Sequence, residues 1–132
     1  MQNRSIGHKL WAIPDGYLPQ TEGIDAGRNG YISHECLCIL NTGPAQAKLV
    51  IRIYFENRDP ITIEDITVSG CRSKHLRLNE LMIGRKPAID QGCPYSILVE
   101  ADVPVVAQMS RLDTTQSNMA FLSTMAFPIR DQ

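Results

Sequence analysis

The strongest constraint on the fold is a series of short β-like segments separated by Gly, Pro, Asn and Asp. The clearest spans Ala47–Phe55, where Leu49, Ile51 and Ile53 share one face and polar side chains occupy the other. Seven further segments of this kind are predicted: His8–Ile13, Tyr31–Leu40, Ile61–Val68, Ser73–Leu78, Tyr95–Ala101, Val105–Leu112 and Leu122–Phe127. About eight short strands at regular spacing predict an all-β fold, a single-domain antiparallel β-sandwich over residues 1–132 with little helix.

Turn residues and irregular stretches fill the intervals between these strands. Pro14–Gly16 is a strong turn signal, and Pro19–Gly30 is predicted to be a loop because it holds three glycines and little that could pack. An irregularity is expected at Glu64–Asp65 inside an otherwise β-branched segment. Asn79–Met82 has weak helical potential, and Thr115–Phe121 is consistent with a helical turn or a loop.

Charge and hydropathy exclude several classes of protein. The 132 residues carry a formal net charge of −1, whereas a purely electrostatic hold on nucleic acid or an anionic membrane needs a basic excess. Nucleic acid is therefore not an expected partner. No segment is apolar for long enough to span a bilayer, and Met1–Lys9 lacks the apolar stretch of a secretory signal. A soluble cytoplasmic protein is the prediction.

The four cysteines also favour a cytoplasmic protein. None forms a Cys-x-x-Cys pair, so a zinc ribbon or a thioredoxin-type motif is absent. Cys36 and Cys38 fall on one face of one strand, where their Cβ atoms stand too far apart for an easy disulfide. Reduced thiols acting as small apolar side chains are expected, with no metal and no cofactor.

Polar residues interrupt two otherwise apolar strands in opposite order. Tyr31–Asn41 begins polar and becomes apolar on both faces, whereas Val105–Asp113 begins apolar and ends polar. If the two strands pair antiparallel, their polar halves meet at one end of the sandwich. We therefore predict that one rim gathers Ser33, His34, Glu35, Arg111 and Asp113.

A third polar element, Arg72–Arg77, places His75 and Arg77 on one face. It is interpreted either as a solvated, charge-protected edge strand or as a cationic lip for an anionic or hydroxyl-rich ligand. Trp11 and Tyr17 are candidates to stack on an apolar ligand face, although a lone tryptophan also suits a core or an interface.

Each of these polar residues also has a plainer interpretation. Arg111 and Asp113 could form an internal ion pair, and His34 could be a satisfied half-buried histidine. A metal site built from His34, Glu35 and His75 lacks recognised ligand spacing. Phosphate loops, nucleophile elbows and metalloprotease helices are all missing from the sequence, which predicts that the chain is not an enzyme.

An ordered series of short motifs resembles the sensory rhodopsin transducer family over about Gly7 to Phe127. The motifs are Trp11-Ala12-Ile13, Gly16-Tyr17, Ile32-Ser33-His34-Glu35, Ile39-Leu40-Asn41, Ile53-Tyr54, Lys74-His75, Arg77, Pro104-Val105, Gln108, Ser110-Arg111-Leu112-Asp113 and Leu122-Ser123-Thr124-Met125-Ala126. The resemblance implies a compact β-sandwich that assembles as a homotetramer. It also implies a signalling role, with a membrane photoreceptor as partner in one branch and transcription regulators or sugar-like ligands in others. Phe127 departs from the pattern, which has tyrosine there.

Three hypotheses follow. The leading one is a non-enzymatic sensor that binds a small polar ligand, such as a sugar, in a cleft lined by nine residues: Trp11, Tyr17, Ser33, His34, Glu35, His75, Arg77, Arg111 and Asp113. The second is a protein-interaction transducer that docks a membrane receptor without a small ligand. The third is a metal-dependent enzyme that uses His34 and His75.

Overall fold

The computed structural model describes residues 4–20, 32–115 and 118–130. Within these ranges lie ten strands and one 3-10 turn, Leu78–Glu80. The strands are β1 His8–Tyr17, β2 His34–Asn41, β3 Ala47–Phe55, β4 Ile61–Val68, β5 Arg72–Arg77, β6 Met82–Ile83, β7 Lys86–Pro87, β8 Pro94–Asp113, β9 Ala120–Met125 and β10 Phe127–Ile129.

Strand β8, with 20 residues, belongs to both sheets of the fold. Its first half lies between β1 and β3, and its second half lies between β2 and β9. One sheet therefore runs β10-β1-β8-β3-β4, and the other runs β5-β2-β8-β9. Strands β6 and β7 form a separate short hairpin. All described pairings are antiparallel, so the predicted all-β antiparallel class is confirmed.

The sequence prediction was wrong to divide β8 into two strands. Tyr95–Ala101 and Val105–Leu112 were predicted as two strands, but Asp102–Pro104 stays extended and joins them. Asp102–Pro104 marks the point where one strand passes from the first sheet to the second.

The first strand also continues past its predicted end at Pro14–Gly16. Its pairing with β8 shifts register between Ile13 and Gly16 and then resumes to Tyr17. Gly16 lies directly over the ring of Tyr95, where an added Cβ would be 2.4 Å from the ring Cζ. The glycine therefore permits a close approach between strands rather than a chain reversal.

The irregularity predicted at Glu64–Asp65 is confirmed as a β-bulge. Leu49 pairs with Ile66 and Ile51 pairs with Ile63, so two residues of β4 oppose one residue of β3. Asp65 adopts a positive φ of 63°, which an aspartate tolerates better than a β-branched residue.

The core lies between the two sheets and follows the alternation of the strands. Both sheets contribute apolar side chains to this core, and these side chains are nearly inaccessible to water. The central ones are Ile51, Ile53, Ile97, Val99, Leu37, Ile39, Ala107 and Met109. Burial of their apolar surface is the main force that holds the sheets together.

The remaining predicted segments have mixed outcomes. Most of the Pro19–Gly30 loop and part of Thr115–Phe121 lie outside the described residues. The weak helical signal at Asn79–Met82 corresponds to the 3-10 turn, which begins one residue earlier. Among the described residues, no helix has the length and apolar character needed to cross a membrane.

Candidate functional site

The two strands with opposite polar order pair as the sequence predicted. Strand β2 runs antiparallel to the second half of β8, with Glu35 opposite Arg111 and His34 opposite Leu112. Their polar halves therefore meet at one end of the sheet. Because side chains alternate across a strand, however, they divide between the inner and the outer face of that sheet.

On the inner face, the carboxylate of Glu35 is enclosed by hydrogen-bond donors. Its Oε1 accepts from the backbone N–H of Tyr17 at 2.7 Å and from the hydroxyl of Tyr95 at 2.6 Å. Its Oε2 accepts from Nε and Nη2 of Arg111, both at 2.9 Å. The Glu35 side chain is 1% exposed, so these four donors replace water.

This group, which we call the closed cluster (Glu35, Arg111, Tyr95 and the Tyr17 N–H), links the two sheets. Glu35 and Arg111 come from the second sheet, whereas Tyr17 and Tyr95 come from the first. Burial raises the pKa of Glu35, while the Tyr95 hydrogen bond and the Arg111 charge oppose that rise. Burial also raises the pKa of Tyr95, and the nearby Glu35 charge raises it further. The tyrosine therefore remains a hydroxyl donor.

Ser33 and Asn79 extend the same inner network. Ser33 Oγ accepts from the backbone N–H of Thr114 at 2.8 Å and contacts Thr114 Oγ1 at 2.9 Å. Asn79 accepts from the Glu35 N–H and donates to the Ser33 carbonyl. Asp113 accepts hydrogen bonds from the backbone and the hydroxyl of Thr115. These polar groups all have partners within the chain.

The outer face of the same strands is open. A groove of about 490 Å³ crosses the sheet β5-β2-β8-β9. Its walls are His34, Cys36, Cys38, His75, Arg77, Gln108, Ser110, Phe121 and Ser123. A smaller depression of about 260 Å³ continues it along the sheet, past Leu40 and Met125. We call the larger space the outer groove.

Strand register explains this set of groove residues. Cys36 lies opposite Arg77 on one side and Ser110 on the other. Cys38 lies in the same way between His75 and Gln108. The described lining contains one arginine and two histidines and no carboxylate. The electrostatic character of the groove therefore favours an anionic or oxygen-rich ligand.

Three of the nine residues predicted to bind ligand line the outer groove: His34, His75 and Arg77. Four others, namely Ser33, Glu35, Arg111 and Asp113, take part in hydrogen bonds within the chain. The alternative interpretation, an Arg111–Asp113 ion pair, is wrong, because Arg111 pairs with Glu35 and has the exposed Asp15 4.0 Å away. Glu35 lies on the opposite face from His34 and His75, which separates the three suggested metal ligands.

The two aromatic candidates also lie away from the outer groove. Trp11 is 5% exposed, and its indole N–H donates to the carbonyls of His8 and Val105, both at 3.0 Å. Its ring is therefore part of the core. Tyr17 has a partly exposed side chain, but its contact with the cluster is made by its backbone N–H.

Comparison with known proteins places this fold in a family. The family described as Anabaena sensory rhodopsin transducer matches residues 6–128. The chain belongs to that transducer family. The resemblance seen in the short sequence motifs is thus confirmed.

Two solved structures resemble this member of the transducer family. The crystal structure of Thermotoga maritima 1070 superposes with a TM-score of 0.80 at 38% identity, covering 93% of this chain and 96% of that one. The Anabaena sensory rhodopsin transducer superposes with a TM-score of 0.68 at 34% identity, covering 80% of this chain and 96% of that one. No curated protein matches the chain.

In this transducer-family chain, sequence reasoning missed most of the outer groove. Cys36 and Cys38 were interpreted as small core residues, and Gln108, Ser110 and Ser123 were not among the candidates. Their shared face was visible in the period of two along each strand. What the sequence lacked was the register that sets Cys38 between His75 and Gln108. Tyr95, which completes the closed cluster, carried no polar-pattern signal at all.

Proposed function

We propose that this transducer-family chain is a non-enzymatic signalling module that binds a small anionic or hydroxyl-rich ligand in the outer groove. Sugar derivatives are the candidate class. The observation that carries the proposal is the groove itself: an open space on one face of the second sheet, whose described walls hold an arginine, two histidines and neutral polar side chains. No disulfide joins any of the four cysteines, Cys36, Cys38, Cys71 and Cys93, which supports a location where thiols stay reduced, such as the cytoplasm.

The groove offers the donors that such a ligand needs. Arg77 presents a planar guanidinium group suited to a carboxylate or phosphate. The exposed ring of His75 lies two residues away, on the same face of the same strand. Gln108 and Ser110 supply amide and hydroxyl groups from the neighbouring strand. Phe121, 67% exposed, provides an apolar wall for the C–H face of a sugar ring.

The closed cluster is a poor alternative site. All four hydrogen bonds to the Glu35 carboxylate come from groups of the chain, and the carboxylate is shielded from water. A ligand that displaced Arg111 would leave a buried negative charge without its partner, at a cost of several kcal/mol. We therefore assign this cluster a structural role.

Signalling requires that ligand binding change a contact with another molecule. The groove ends at β9, an edge strand with exposed apolar side chains. A homotetramer in which β9 and β10 contact other subunits would couple groove occupancy to assembly, provided that the ligand prefers one arrangement of the subunits.

The ligand proposal can be tested by thermal shift and calorimetry with glucose, ribose, glucose 6-phosphate, sulfate and inorganic phosphate at millimolar concentration. We expect at least one phosphorylated or anionic probe to stabilise the protein. Arg77→Ala should abolish that effect. Arg52→Ala removes another exposed arginine, from strand β3 of the other sheet, and should leave the effect of the ligand intact. Absence of any shift, or equal shifts in both variants, would contradict the proposal.

A second candidate function is favoured by the exposed apolar residues of β9 and β10. Leu122, Met125 and Phe127 are between 49% and 63% exposed, which is typical of a protein contact. A membrane sensory rhodopsin is the partner that the family description suggests, and a transcription regulator is the alternative. In this case the module would act without a small ligand.

The contact surface can be separated from the groove by Leu122→Ser/Phe127→Ser, since neither residue lines the groove. A fall in the molar mass measured by light scattering, from oligomer to monomer, would identify a subunit interface. Loss of binding to a sensory rhodopsin in nanodiscs, at unchanged mass, would identify receptor docking. If both properties survive, this second function is wrong.

A further inference from the structure

Three side chains with metal-binding donors meet on the floor of the outer groove. The Sγ atoms of Cys36 and Cys38 and a ring nitrogen of His75 all lie within 4.8 Å of one another. Cys38 and His75 are direct cross-strand partners, and Cys36 is two residues away on the same face. We propose that Cys36, Cys38 and His75 form a binding site for a thiophilic d10 metal ion, Zn²⁺ or Cu⁺.

The donor set selects this class of ion. Two thiolates and one imidazole suit Zn²⁺ and Cu⁺, whereas Mg²⁺ and Ca²⁺ require oxygen ligands. With metal–sulfur bonds of about 2.3 Å and metal–nitrogen bonds of about 2.0 Å, the donor atoms would lie roughly 1 Å closer to one another than the 4.8 Å that bounds their separations now. Side-chain rotation can supply this movement because Cys38 is half-buried and His75 is exposed.

The charges around the site are compatible with a metal ion. Binding displaces the two thiol protons to solvent, so the dithiolate neutralises both charges of Zn²⁺ and leaves a single negative charge with Cu⁺. Arg77, opposite Cys36, carries a positive charge that favours the thiolate form, and the negative charge of Glu80 opposes it more weakly. Burial, and then the neighbouring Cys38, raise the pKa of Cys36 to about 11. Without a metal this thiol therefore keeps its proton and is a weak nucleophile.

The three donors leave room for a further ligand. A tetrahedral ion held by three side chains retains one open position, whereas a trigonal Cu⁺ site would be complete. The remaining space above the donors is the outer groove. The inference does not rest on the proposed signalling function, because it concerns metal binding alone and is tested by direct spectroscopy.

The test uses the full chain with Cys71→Ser/Cys93→Ser, which removes the two exposed cysteines outside the groove. Titration with Co²⁺, a spectroscopic substitute for Zn²⁺, should give one ion per chain, a near-ultraviolet thiolate charge-transfer band and the visible bands of tetrahedral cobalt. Competition by Zn²⁺ should bleach these bands. A parallel titration with Cu⁺ against a colorimetric chelator separates the two ions by affinity.

Matched variants identify the ligands. His75→Gln and Cys38→Ser should weaken Co²⁺ binding by roughly 100-fold, since even loss of a residue that supports a ligand costs about 10–100-fold. His34→Gln changes the same residue type in the same groove, outside the donor cluster, and should leave the affinity unchanged. Circular dichroism confirms folding of each variant. A spectrum without thiolate bands, or an equal loss in His34→Gln and His75→Gln, would overturn the site.

Discussion

The two faces of the second sheet, β5-β2-β8-β9, hold similar polar side chains in different surroundings. On the inner face, Glu35 and Arg111 are enclosed and saturated with hydrogen bonds. On the outer face, His34 and Arg77 border an open groove. Glu35 directly follows His34 in the sequence, so the alternation of side chains along one strand places the first in the closed cluster and the second at the outer groove.

The comparison separates polar residues that are bonded to one another inside the fold from polar residues that line an exposed groove. A buried charge needs its partner, so changes to the closed cluster should lower the free energy of unfolding. An exposed charge interacts mainly with water, so changes to the outer groove should leave stability almost unaltered and act on binding.

The largest effect is expected from Arg111→Ala. It leaves the Glu35 carboxylate buried without a cation, which should lower the free energy of unfolding by about 3–5 kcal/mol. Arg77→Ala removes the same residue type from the outer face and should change it by less than about 0.5 kcal/mol. Urea denaturation of both variants measures the difference. Similar losses in the two would show that the faces do not differ as described.

The loss in Arg111→Ala should depend on pH. Burial already raises the pKa of Glu35 above the ordinary glutamate value of 4.5, and the Arg111 charge opposes this rise. Removal of Arg111 therefore raises the pKa of Glu35 further. A raised folded-state pKa contributes stability that is present below the unfolded value and is lost as pH rises through the folded value. The variant should therefore be closest to the parent protein at pH 4 and fall away towards pH 7. A constant difference in unfolding free energy across this range would rule out the buried charge as its cause.

Tyr95→Phe should have an intermediate effect. It removes one hydroxyl donor to Glu35, and hydrogen bonds to charged groups contribute about 1.5–3 kcal/mol. Tyr17→Phe is the matched control, because Tyr17 reaches Glu35 through its backbone N–H, which the substitution preserves. Its unfolding free energy should stay within about 0.5 kcal/mol of the parent value. A comparable loss in both tyrosine variants would refute the assigned contacts.

The sequence predicted the strands better than the site. Alternation located β3, because a half-buried strand records its burial in every second residue. A series of β-branched residues located β4, with an irregularity expected at Glu64–Asp65. It also predicted that the polar ends of β2 and β8 meet. It did not predict that their side chains divide between two faces with different partners.

The reason is that contacts between sheets leave little trace in a single sequence. Tyr95 reaches Glu35 across 60 residues, and Gly16 makes room for its ring. Likewise, the grouping of Cys36, Cys38 and His75 depends on the register of β2 with β5. Local pattern gives the face of each residue, but register between distant strands decides which residues share that face.

The most direct test compares two arginine side chains within one sample. Nuclear magnetic resonance can follow the Nε–H signals of Arg77 and Arg111 while inorganic phosphate is added at millimolar concentration, with assignments from Arg77→Lys and Arg111→Lys. We predict that the Arg77 signal shifts, whereas the Arg111 signal stays unchanged because its Nε–H is bonded to Glu35 at 2.9 Å. A shift of Arg111, or no shift of Arg77, would contradict an open binding groove opposite a closed structural cluster.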